Sequence, residues 1–129
     1  MNKRNAQRTL KKAKKILQTD GWTQKKWKCV DGKYCVDGAI AAAAGIEFGI
    51  MADPTPYNTL YDPLADELKR YADAVVLFAR HLPDDYRDFI LPSERNNPRY
   101  GKEATTDYND RPGRTIDEVM ATLDRAIAS

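Results

Sequence analysis

A chain of 129 residues with 42% hydrophobic residues has enough apolar surface for one core, so a single domain over 1–129 is expected. It holds no run of about 18 apolar residues, and the opening MNKRNAQRTLKKAKK lacks the apolar stretch of a secretory signal. Both point to a soluble cytoplasmic protein without a membrane role. The two cysteines, Cys29 and Cys35, are too few for a disulfide scaffold and read as packing thiols. The net charge of +2 hides a division: residues 1–33 carry eleven Lys/Arg against Asp20 and Asp31, whereas residues 34–129 carry ten against seventeen acids. A +9 segment thus precedes a −7 segment, and the plainest expectation is that the two lie against each other in one fold.

Residues 4–19 have the spacing of an amphipathic helix. Ala6, Leu10, Ala13 and Leu17 trace one stripe, while Arg4, Arg8, Lys11 and Lys15 trace another about 200° away. Cations in the first turn oppose the helix macrodipole, at roughly 0.3–1 kcal/mol each, so helix stability alone does not explain them. Asp20-Gly21 closes the helix. In WTQKKWKCVDGKYC, the Asp31-Gly32 pair between aromatic and β-branched runs predicts a tight β-hairpin with positive φ at both central positions, completing a basic helix-and-hairpin unit over 4–35. CVDGAIAAAAG, 35–45, predicts a small-residue helix that neighbours can approach closely, the most buried helix of the domain. Residues 46–61 read as a linking loop.

Asp62 as N-cap and Pro63 at the first helical position open a long helix over 62–82, with Leu64, Leu68, Tyr71, Val75, Phe78 and Leu82 on its apolar face. A shorter helical segment over 84–91 is anchored by Tyr86, Phe89 and Ile90. The polar stretch SERNNPRYGKEATT, with Pro98 and Gly101, predicts a mobile surface loop covering 92–114. Pro112-Gly113 fixes a turn at its end. Thr115 and Glu118 then match a capping box that starts the last helix, 115–128, whose stripe is Ile116, Val119, Met120, Leu123 and Ile127. The fold class expected is mainly α: a compact multi-helix domain with one short β-hairpin.

Three groups of residues resemble a domain family of unknown function found in small proteins of actinobacteria and their phages. They are Gly21-Trp22, Cys35 with Gly38-Ala39-Ile40, and Asn109-Asp110 with Pro112-Gly113-Arg114-Thr115. Tyr108 stands where that family's terminal motif has Trp. The resemblance spans nearly the whole chain and implies an actinobacterial or phage accessory protein, without naming a reaction.

Several chemistries can be set against these residues. Cys35 near a helix N-terminus, with His81 and Asp110 or Asn109, has the types for a nucleophile, base and orienter. His81 is the chain's one histidine, however, and its place near a helix end also suits a C-terminal charge. Cys and His number three in all, too few for structural zinc, and Asp84, Asp85 and Asp88 lack the glycine-bearing spacing of a calcium loop. No phosphate-binding glycine motif occurs, so no cofactor is expected. Nucleic-acid binding would use Arg4, Arg8, Lys11 and Lys15, with Lys25, Lys26 and Lys28 and stacking from Trp22 and Trp27. The reading preferred from sequence is a non-enzymatic binding module for a protein or small ligand. Arg111 and Arg114, which the turn does not require, would be its contacts, joined by Trp22, Trp27, Tyr108, Asn109 and Asp110.

Overall fold

The computed structural model describes residues 1–26, 28–29, 31–46, 66–87, 93 and 95–129. Expectations resting on Trp27, on the link and helix start at 47–65, and on Asp88, Phe89 and Ile90 lie outside these residues. The described residues form α1 (Lys3–Asp20), α2 (Val36–Ala43), α3 (Asp66–Arg80), α4 (Asp84–Arg87), α5 (Pro98–Asp110) and α6 (Ile116–Ala128). None of these helices is long and apolar enough to cross a membrane.

Helix α1 starts where the Asn2 side chain accepts from Asn5 N–H at 3.1 Å, and ends where Gly21 (φ 97°) returns its N–H to Leu17 O. Its apolar stripe of Ala6, Leu10, Ala13 and Leu17 is 0–2% exposed and packs on α2, α3 and α6. The small side chains of α2 do bring neighbours close: Val36, Ala39, Ile40 and Ala41 are all fully buried. Tyr71, Ala74, Val75 and Phe78 supply the facing stripe of α3, and Val119, Leu123 and Ala126 that of α6. The capping box is present, with Glu118 N–H donating to Thr115 Oγ1 and Thr115 N–H donating to Glu118 Oε1.

One expectation is corrected and another is not confirmed. The first is the loop over 92–114, most of which is α5. Asn97 accepts from Arg99 N–H as N-cap and Pro98 occupies the first turn, the same start signal read at Asp62-Pro63. Gly101 does not break this helix; it is buried where α5 crosses α3, and a Cβ there would stand 3.4 Å from Val75 O. Its polar composition misled because the buried face includes Lys102, Thr105 and Asn109 beside Ala104 and Tyr108.

The second, the β-hairpin, is not confirmed. Among the described residues there is no strand, only isolated bridges from Tyr34 to Trp22 and to Lys28. Gly32 (φ 91°) has positive φ and Asp31 does not. Gly32 N–H donates to Cys29 O and Cys29 N–H to Lys33 O. Thr23 N–H donates to Tyr34 O, and the 23–25 segment bonds as well to the end of α5 and the residue after it. Asn109 Nδ2 donates to Thr23 O, Gln24 Nε2 to Asn109 O and Arg111 O, and Lys25 N–H to Asp110 Oδ1.

Candidate functional site

The end of α5, the turn after it and the start of α6 form a corner against the 21–25 loop. Asn109 is its hub. Fully buried, it accepts at Oδ1 from Trp22 Nε1 (2.6 Å) and from Val36 N–H (3.0 Å), while Nδ2 donates to Thr23 O and Asp110 Oδ1. A side-chain amide can satisfy two donors and two acceptors at once, which a carboxylate cannot. Asp110 Oδ1 also accepts from Lys25 N–H and so holds Lys25 at φ 68°, unusual for a residue with a side chain. The expected binding residues Trp22 and Asn109 are therefore partners of each other.

Pro112-Gly113 forms the expected turn, with Gly113 at φ 84° and Arg114 N–H donating to Arg111 O. The two arginines leave this turn in different directions. Arg114, its side chain 10% exposed, donates from Nε to Tyr108 O (2.9 Å), from Nη1 to Glu118 Oε2 (2.8 Å) and from Nη2 to Tyr86 Oη (2.8 Å). Its guanidinium carbon lies 3.8 Å from the centre of the Tyr108 ring. The guanidinium expected to be a contact is mostly enclosed and internally paired. Tyr108 is likewise committed: buried, it donates to Glu118 O and meets Thr122 Oγ1, joining α5 to α6.

Arg111 is exposed. Its Nη1 stands 3.4 Å from Tyr86 Oη and its guanidinium 6.0 Å from that ring, and this hydroxyl is the main cause raising its pKa. Arg111 lines an open cleft of about 750 Å³ with Tyr86, Asp107, Asp110 and Pro112. Both acids sit in the last turn of α5, where no basic residue balances the negative end of the helix. Tyr86 and Asp107 were absent from the sequence-based site; α5 had to be recognised before Asp107 could be placed one turn before Asp110.

The cysteine constellation does not assemble. Cys35 is buried as the N-cap of α2, its Sγ accepting from Gly38 N–H at 3.2 Å. Burial, followed by the nearby Asp37 charge, pushes its thiol up to about 12, the opposite of what an activated nucleophile needs. His81 is bound elsewhere, with Nδ1 2.9 Å from Leu77 O, and Cys35, His81 and Asp110 share no hydrogen bond. Among the described residues no three His, Cys, Asp or Glu side chains gather as a metal site.

A buried ion pair that sequence reading missed lies beneath the corner. Lys102 Nζ on α5 stands 2.5 Å from Asp37 Oδ2 on α2, and the Tyr71 hydroxyl on α3 donates to Asp37 Oδ1. Both charged side chains are at most 5% exposed. The cationic residues of α1 differ: Arg4, Arg8, Lys11 and Lys15 are all exposed, and Lys28 turns its ammonium toward the Tyr34 ring.

A family model described as a family of unknown function (DUF6197) matches residues 1–129. The chain belongs to this family. No curated protein and no solved structure matches it. In this DUF6197 chain the residues on which the sequence resemblance rested meet in space, because Gly21-Trp22, the start of the Cys35 helix and Asn109-Asp110 converge on the Asn109 side chain. The motif is thus a junction of three chain segments, and Arg111 is the member of the corner that faces away from it.

Proposed function

We propose that this DUF6197 chain is a non-enzymatic binding module, an accessory protein of an actinobacterium or its phage acting in the cytoplasm, whose protein partner docks at the Arg111 cleft. The observation that supports this reading is the contrast between the two arginines: Arg114 is consumed by the fold, while Arg111 is exposed over Tyr86 beside Asp107 and Asp110. A guanidinium flanked by two carboxylates asks for a surface with both acceptors and donors, which a peptide segment supplies. The buried, high-pKa Cys35 thiol and the engagement of His81 Nδ1 with Leu77 O weigh against the cysteine-enzyme alternative.

The test is capture from host lysate with the native protein, Arg111→Ala and Cys35→Ala, each also melted. Arg111→Ala should lose the partner while its stability changes by no more than about 0.5 kcal/mol, as is usual for an exposed side chain. Capture by Cys35→Ala should persist in whatever fraction is folded. An Arg111→Ala protein that retains the same partners would remove the cleft from consideration.

A further inference from the structure

Helix α1 carries seven cations, Lys3, Arg4, Arg8, Lys11, Lys12, Lys14 and Lys15, and the sequence has no acid before Asp20. At about 100° per residue, Arg4, Arg8, Lys11 and Lys15 fall within an arc of roughly 60°, and at about 1.5 Å per residue they extend over roughly 16 Å. All four are exposed. Lys14 alone of the seven forms an ion pair among the described residues, with Asp124 at 2.6 Å. The fold therefore leaves a straight cationic rail of one sign on its surface, at a cost to the helix from its own macrodipole.

We propose that this rail docks along the phosphate backbone of duplex nucleic acid, without reading bases, as an activity separate from the Arg111 cleft. Three observations select this occupant. A rigid line of like charge complements a linear polyanion better than a globular acidic surface, because a duplex presents one phosphate per roughly 1.7 Å of axis. A membrane surface is disfavoured because an interfacial helix must bury an apolar face in lipid, and the apolar face of α1 is already spent on the core, with Ala6, Leu10 and Ala13 at 0% exposure. Single strands are disfavoured because they need aromatic platforms, and Trp22 is half-buried with its indole N–H bound to Asn109.

Four phosphate contacts predict a slope of about −3.6 in log K against log salt, so affinity for a mixed-sequence 20-base-pair DNA duplex should fall roughly 150-fold between 50 and 200 mM NaCl. Fluorescence anisotropy with a labelled duplex measures this directly. The variant Arg4→Gln/Arg8→Gln/Lys11→Gln/Lys15→Gln should keep its helical circular dichroism and lose at least about 100-fold in affinity at 50 mM salt. Lys15→Gln alone, a milder change, should reduce the slope by about 0.9. Arg111→Ala should bind the duplex like the native protein, which separates failure of this proposal from failure of the cleft reading. No binding at 50 mM salt, a slope near zero, unchanged affinity in the fourfold variant, tighter binding to single strands, or preferential binding to phosphatidylserine vesicles would each overturn it.

Discussion

Arg114 donates to three separate places, the carbonyl of Tyr108 on α5, the carboxylate of Glu118 on α6 and the hydroxyl of Tyr86 on α4. From sequence it and Arg111 look equivalent, two guanidiniums three residues apart around a Pro-Gly turn. What divides them is the direction in which the turn releases each side chain, and that depends on Tyr86 and Tyr108, which approach edge to face with ring centres 5.3 Å apart. Arg114 fills the space over the Tyr108 ring. Arg114→Ala should therefore cost about 2–3 kcal/mol in chemical denaturation, through lost charged hydrogen bonds and an unpaired carbonyl. Arg114→Lys should recover little of this, because an ammonium cannot span three acceptors set around a planar fork. A full recovery by Lys would show that charge alone, and not the fork, holds the corner.

At the scale of elements, the legible parts of the chain were those where local chemistry and tertiary burial agree. The stripe of α1, the cap and stripe of α6 and the small-residue α2 follow from spacing and caps that depend on neighbours only for their packing. Helix α5 was illegible because its buried face contains a glycine, a lysine and an asparagine, whose burial makes sense only once their neighbours on α3, α2 and the 21–25 loop are in place. The hairpin is not confirmed among the described residues, where the loop after α1 bonds both to Tyr34 and to the end of α5. Asp37 and Lys102, 65 residues apart, could not have been paired from spacing at all. Removing Lys102 alone leaves a carboxylate buried without its cation, so Lys102→Met should cost about 3–5 kcal/mol. The double variant Asp37→Asn/Lys102→Met keeps an acceptor for Tyr71 and removes the stranded charge; it should be more stable than the single variant in the same urea titration. If the two variants unfold at the same midpoint, the ion pair does not set the seating of α5.

For the whole molecule, the question raised by the +9 and −7 segments is whether they hold each other. The structure gives them one direct ion pair among the described residues, Lys14 with Asp124, partly exposed and of the kind that contributes about 0–1 kcal/mol. Against this stand the like-charge neighbours Arg4/Arg8, Arg8/Lys11, Arg8/Lys12 and Lys11/Lys15 at helical spacings of three or four, each costing roughly 0.2–0.5 kcal/mol. Repulsion within α1 then exceeds attraction across the fold. Salt screens both, shortening the Debye length from about 10 Å at 0.1 M to about 3 Å at 1 M, and the larger contribution decides the sign. Thermal melts in sodium chloride should accordingly show Tm rising by a few degrees between about 0.02 and 0.5 M. Arg4→Glu should raise Tm at low salt by itself, since it places an acid where the helix N-terminus favours one and breaks a repulsive pair. A Tm that falls with salt would mean that the acidic body does clasp the basic helix, and the rail on α1 would then be a neutralised seam of the fold instead of a surface held open for a polyanion.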